Sequence, residues 1–537
     1  MSKQRYDVVI VGAGAAGLTA AAYLSKAGYR LCVLEKDESS GGLLGSYVVD
    51  DFVFDKGARG LIDSGIIRPM MRQLDLKLDL RPNPITISVE NEHVTLNSVN
   101  DMDGYGDLLK RLYPESIADI DAILFDIKKV MKMMDVLYGI ENPLFLDKPY
   151  DLTYVTKTLL PWMVRFAHNI QKTKQFMDPI KTALRKHTNN EGLVHVISQH
   201  FFEDTPSFFA LSYFSLYLEY QYPKGSTQSM IDELERVVLS HGNTILHQQE
   251  VVSIDVNNRS VSTQSDTYSY DELIWAADTK WMYQSIDLES LSSKDKNAVL
   301  KKQNFLADKL GADSILGVNY LLDIDPKQFK DSSGPHAFYT PDRIGLAHVR
   351  LQDIQDKYGQ FTKDQEKLFE WVKTYLRTNT FEVSIPALRD DTLAPKGKTG
   401  LMASILFDYH LAKHIADTCD FKAFKQLLID EFTKILSAYI PISSKNTLKA
   451  LTFTPLTIYA RTNNTQGSAT GWSFANKHFP VEYRFTRVSQ SVKTPMPHIT
   501  QAGQWTFNPA GVPVAILTAK LAADAVEKAL NQRGRRP

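Results

Sequence analysis

The chain has little cysteine: two residues, Cys32 and Cys419, in 537. Two thiols cannot build a disulfide framework or a thiolate zinc site, and a reducing, cytoplasmic setting fits them best. Net charge is also missing, since 61 Lys and Arg face 62 Asp and Glu. A general nucleic-acid binder normally carries a basic excess, so no nucleic-acid partner is expected. Nowhere do 18 consecutive apolar residues occur, and no bilayer-spanning helix is predicted. The first apolar run is broken by Asp7 and by glycines and leads into a helix pattern rather than a cleavage site, so no secretion signal is expected. The 13 histidines are scattered without H-E-x-x-H or other ligand spacing, which argues against a metal. Repeats, low-complexity tracts and nucleophile motifs are absent as well.

What is present suits a globular protein: 43% hydrophobic and 23% charged residues, in a chain longer than one core usually serves. Residues 6–11 are apolar and β-branched, as a buried parallel strand should be. Residues 18–27 read as a helix with Gly28 just past its end, and 30–34 as a second strand. Further on, 222–225 reads as a turn and 230–240 as a helix. Strands are expected at 244–246, 250–255, 260–263, 272–276 and 498–503, and a last helix at 513–530. The pattern predicts a first unit assembled from 1–104, 225–289 and 491–537. A second unit, or cap, would be built from 105–224 and 290–490.

Between the first strand and helix lies Gly12-Ala13-Gly14-Ala15-Ala16-Gly17, a G-x-G-x-x-G sequence. Gly12 permits a tight turn, Gly14 lets backbone approach a pyrophosphate, and Gly17 allows helix to pack closely on strand. The helix start offers N–H groups and a positive dipole end to phosphate. Glu35, closing the second strand, is placed to accept hydrogen bonds from ribose hydroxyls. Together these features predict a dinucleotide site.

Three further stretches point to the dinucleotide. Gly41-Gly42 stands just beyond Glu35, Asp55 to Gly60 reads DKGARG, and residues 502–513 read AGQWTFNPAGVP. In these motifs the chain resembles the phytoene-desaturase-like proteins, a group of carotenoid desaturases, carotenoid isomerases and retinol saturases within the flavin amine oxidase superfamily. The resemblance implies an α/β fold: a Rossmann-like FAD-binding domain of amine-oxidase type with an α+β substrate-binding domain inserted. It implies non-covalent FAD held by Gly12, Gly14, Ala15, Ala16, Gly17, Glu35, Lys36, Gly41, Gly42, Leu43, Ala58 and Arg59. To these it adds Val251 or Val252 at the adenine, Ala276, and the terminal group Gly503, Gln504, Gly511, Val512 and Pro513. A helix starting near Pro513 would aim N–H groups at the negative charge of a reduced flavin. The implied activity is oxidoreduction at carbon–carbon bonds of an apolar polyene, isoprenoid or other lipid-like substrate, by desaturation, saturation or isomerisation. Quinone or oxygen would serve as electron acceptor. A flavin amine oxidase and a prenyl-lipid carrier of the GDP-dissociation-inhibitor type are the alternatives.

Residues 201–222 hold nine aromatics, among which Phe209, Tyr213 and Tyr217 recur at helical spacing. That stripe either lines an apolar tunnel or belongs to a core helix. Residues 157–186 carry seven Lys or Arg against one acid, Asp178, interleaved with Leu159, Leu160, Trp162, Met163 and Phe166. Such a segment suits either an anionic membrane surface or a solvated basic face. For acid–base work Glu219, Arg461 and His336 are conceivable, and no catalytic residue is assigned.

Overall fold

The computed structural model describes residues 4–137, 140–146 and 151–534. The last residues of the terminal arginine-rich tail, 535–537, lie outside that range. Strand β1 (Gln4–Val11) leads through the glycine turn into helix α1 (Ala15–Lys26) and strand β2 (Leu31–Leu34). Val8, Val9 and Ile10 are fully buried, as are all four residues of β2, because parallel strands are covered on both faces. Gly28 has φ +89° and follows the helix cap Ala27, where a left-handed residue is needed to turn the chain.

Distant segments complete this sheet of seven strands. Thr244–Leu246 runs parallel beside β2, and Thr267–Trp275 runs parallel on the other side of β1. The latter strand forks. Its end takes Ile499–Gln501 as a parallel partner, while its start pairs antiparallel with Ser260–Ser262, which holds Ser253–Asp255. Helices α1, Gln228–Ser240 and Val512–Gln532 pack together on one face, filled by Leu18, Leu24, Leu234, Val238, Ile516 and Ala519. The parallel strands therefore end on one edge, where α/β sheets bind ligands.

A second sheet of seven strands runs in the order Thr447–Phe453, Ser314–Leu322, Thr399–Phe407, Phe381–Ser384, His336–Thr340, Ile85–Val89 and Glu92–Leu96. All its pairs are antiparallel except that of His336–Thr340 with Ile85–Val89. This corrects the expected first unit at its 1–104 boundary. Residues 85–96 leave the nucleotide-type sheet for the second one, because Ile85–Val89 is buried at every position and needs partners on both edges. Residues 222–225 also differ from expectation: Tyr220–Pro223 is a strand between Leu61–Ile62 and Leu80–Pro82, and the turn follows at Gly225. Helices Asp101–Leu112, Ile117–Leu137 and Ser207–Leu216 share a third core, to which Phe214 and Tyr217 contribute. Among the described residues no helix is long and apolar enough to cross a membrane.

Candidate functional site: a cavity between the two sheets

A cavity of about 1730 Å³ extends from the carboxyl edge of the first sheet to the inner face of the second. A pocket for one small ligand measures roughly 300–1,000 Å³, so this one has room for a dinucleotide and a second molecule. Its walls combine the glycine turns with the aromatic stripe.

At one end lie Gly12, Gly14, Ala15, Ala16, Glu35 and Lys36, with Gly41, Gly42 and Leu43. Gly12 has φ +99°, and a Cβ on it would stand 3.0 Å from the Ala276 carbonyl oxygen. A Cβ on Gly14 would meet nothing within 4 Å and would project into open space. No side chain caps the start of α1 at Gly14, which leaves its first turn able to receive an anion. Glu35 accepts from the Ala13 N–H at 2.7 Å through Oε2 and from the Asp37 N–H at 2.9 Å through Oε1. The carboxylate is thus aimed across the turn with lone pairs to spare.

The structure sorts the remaining predicted residues. Ala58, Arg59, Val251, Ala276, Gly503, Gln504, Gly511, Val512 and Pro513 all line the cavity. Helix Val512–Gln532 starts there with Gly511 at its cap and no capping side chain, giving a second uncapped helix start on the same chamber. Two expectations are corrected: Gly17 and Val252 lie off that wall. A Cβ on Gly17 would stand 1.8 Å from the Gly12 carbonyl oxygen, so its lack of a side chain lets helix pack on strand. Val252 is 45% exposed and outside the cavity, its N–H spent on the Ser262 carbonyl, which leaves Val251 as the wall residue. Lys36 donates to the Ala460 carbonyl at 2.9 Å, which holds its ammonium on the neighbouring helix. Arg59 turns its guanidinium toward the second sheet, donating to the Glu382 carbonyl at 2.8 Å and to Ser404 Oγ at 2.7 Å.

The aromatic stripe stands on Ser207–Leu216 and the turn after it, where Phe209, Tyr213 and Tyr217 line the cavity. They belong to a ladder of rings, Phe479–Phe474–Phe209–Tyr213–Tyr217–Tyr220–His336, with successive centroids 5.3–6.0 Å apart. The stripe belongs to the helix core and to the cavity wall at once, since Tyr217 is 2% exposed and yet borders the cavity. Burial raises the Tyr217 and Tyr220 hydroxyls well above their ordinary range, so both stay neutral.

Of the three residues considered for acid–base work, His336 and Arg461 border the cavity, and Glu219 does not. Sequence reasoning missed Glu382. It pairs with His336, Nε2 to Oε1 at 2.9 Å, and with Arg59 at 3.5 Å. Burial works against its ionisation, but the Arg59 charge and the His336 hydrogen bond outweigh that and hold the carboxyl at about 2. Its only trace in the sequence is one acid in the alternating strand FEVS. His200, also on the wall, packs against Phe201 with ring centroids 4.0 Å apart and planes tilted by 46°, and burial pulls it down to about 3.

At the other rim of the cavity, Trp162, Phe166 and Ile170 of helix Leu160–Thr173 form wall, while Leu160, Met163 and Val164 of the same helix are 51%, 50% and 74% exposed. Of the seven cations expected here, Lys181, Arg185 and Lys186 pair with Glu203, Glu191 and Asp178. Among the described residues no ion pair holds Lys157, Arg165, Lys172 or Lys174.

Comparison with known proteins agrees with this architecture. Residues 10–74 match a family described as the NAD(P)-binding Rossmann-like domain. Prolycopene isomerase 1, chloroplastic, of an Oncidium hybrid cultivar is 22% identical over 418 residues, covering 73% of this chain and 63% of the isomerase. The chain therefore spans under two thirds of that relative's length. The 4,4'-diapophytoene desaturase (4,4'-diaponeurosporene-forming) of Staphylococcus aureus is 22% identical over 546 residues, 98% of this chain and 99% of the desaturase. Among solved structures, wild-type putrescine oxidase bound to putrescine superposes with a TM-score of 0.58 at 14% identity, over 98% of this chain and 99% of that one, and shares the fold.

Proposed function

We propose that this chain, a homologue of carotenoid desaturases and isomerases, is an FAD-dependent oxidoreductase acting on carbon–carbon bonds of an apolar, lipid-like substrate. One observation carries the reading: the glycine turns, two uncapped helix starts and the ladder of aromatic rings open onto a single cavity. The chain's residues fit non-covalent FAD. Gly14 leaves an open cradle at the first helix start, Glu35 offers carboxylate lone pairs for a ribose, Val251 bounds the adenine region, and Gly503 to Pro513 close the far side. When bound, FAD supplies hydride exchange with carbon.

The protein's own contribution is placement. Flat rings spaced along the tunnel hold an extended polyene by its faces and exclude water from the reacting carbons. Orientation of this kind carries most of the burden where no strong base is required. The rim supports delivery of the substrate from an anionic membrane surface: apolar Leu160, Met163 and Val164 project beside Arg165, Lys172 and Lys174, which no ion pair among the described residues holds, and the same helix forms the cavity wall.

The test is an absorption spectrum of the purified protein before and after acid denaturation, followed by a lipid extract of the same sample. Flavin bands that release as free FAD, with an isoprenoid or polyene in the extract, are the expected outcome. Protein that takes up no flavin even after incubation with FAD would overturn the oxidoreductase reading in favour of a lipid carrier.

A further inference from the structure

The ladder of rings ends on a charged pair, and that end has a chemistry of its own. Phe381–Ser384 is an interior strand of the second sheet. Phe381 and Val383 are fully buried against the helices on one face, so Glu382 points to the other, which is the cavity. Its side chain is 32% exposed, and in an interior strand that exposure is to the chamber.

The neighbours of Glu382 are fixed. The Asn83 amide accepts from Arg389 at 2.9 Å through its oxygen, so its N–H donates to His336 Nδ1 at 3.3 Å. The imidazole proton is thereby on Nε2 and is given to Glu382 Oε1. On the other oxygen the nearest cation is Arg59, at 3.5 Å, with its own N–H groups committed to the Glu382 carbonyl and Ser404. The Arg59 side chain is 4% exposed, with its guanidinium turned toward the sheet. An ionised carboxylate thus presents unused lone pairs to a chamber otherwise walled by Tyr217, Tyr220 and Phe338.

We propose that this end of the cavity is a hydroxyl-binding subsite, and that the substrate is an apolar chain bearing an alcohol whose O–H donates to Glu382. The proposal rests on the function proposed above and deepens it. A pure hydrocarbon seated here would strip water from the carboxylate and return nothing. A carbonyl or ether has no proton to give. An ammonium would meet Glu382 already balanced by Arg59, with the Arg389 cation in the same cluster. A neutral donor satisfies the carboxylate without adding charge.

Geranylgeraniol, its methyl ether and geranylgeranylamine, titrated into the FAD-loaded full chain, separate these classes. Quenching of tryptophan fluorescence is the readout, since Trp162, Trp275 and Trp281 border the cavity. The alcohol should bind about tenfold or more tighter than the ether, and Glu382→Met should reduce that preference to about threefold or less. The wild-type comparison stands alone should the variant fail to fold. Equal affinity for alcohol and ether, a preference surviving in Glu382→Met, or tightest binding of the amine would each overturn the subsite while leaving an apolar-ligand enzyme. Binding of none of the three to flavin-loaded protein would overturn the lipid reading and the subsite with it.

Discussion

The Ala13 N–H donates to Glu35 Oε2 over 2.7 Å, which ties the glycine turn to the end of the second strand. The carboxylate that would meet a ribose is therefore also a brace for the glycine turn. Glu35→Ala should lower FAD affinity by about tenfold to a hundredfold, by removing charge-assisted hydrogen bonds worth roughly 1.5–3 kcal/mol. Titration of apoprotein with FAD, followed by flavin fluorescence, measures it; unchanged affinity would place the ribose elsewhere.

Two glycines of one motif should fail in different ways. Gly14 has φ −77° and open space at its Cβ position, so Gly14→Ala should fold normally and bind FAD poorly. Gly17→Ala would put a Cβ 1.8 Å from the Gly12 carbonyl oxygen, forcing helix from strand and lowering thermal stability. Melting curves paired with the flavin-to-protein absorbance ratio separate the two.

In the tunnel, Tyr213 touches the rings of Phe201, Phe209 and Tyr217. Tyr213→Ala should weaken lipid binding by about tenfold, one aromatic contact being worth roughly 0.5–1.5 kcal/mol beyond its buried area, while flavin content stays unchanged. A parallel loss of flavin would show that the ring supports the fold rather than the ligand.

At the rim, replacing Met163 and Val164 together by Glu should abolish co-sedimentation with anionic vesicles and spare flavin binding. Wild-type binding should weaken as salt rises, each cation near the surface contributing about 1 kcal/mol. Binding that ignores both the substitution and the salt would remove the membrane from the account.

Buried histidines set a pH dependence. Burial pulls His200 down to about 3 and His195 down to about 4, both below the unfolded value of about 6.5. Unfolded chains therefore bind more protons below that value. The stability these residues confer is complete above pH ~6.5 and is lost as pH falls toward their folded values. At pH 5 each should have cost about 2 kcal/mol, and His200→Phe should flatten the decline in melting temperature between pH 7 and 5. An identical decline in the variant would assign it to other groups.

The sequence alone determined the local parts of this protein. A turn between a buried strand and a helix needs glycines at set positions, and Gly12 and Gly14 are legible because backbone geometry is decided within a few residues. Phe209, Tyr213 and Tyr217 share a helix face for the same reason. Tertiary structure decided the rest. The sequence pattern puts residues 85–96 in the first unit without naming strands there, and only the pairing of Ile85–Val89 with His336–Thr340 sends them to the second sheet. Arg59, Glu382 and His336 are far apart in the chain, and no local spacing couples them. Glu382 and His336 meet because alternate side chains of adjacent strands face one chamber, and Arg59 reaches them from the loop after Phe52–Asp55; a low dielectric there makes an isolated charge costly enough to require its partners.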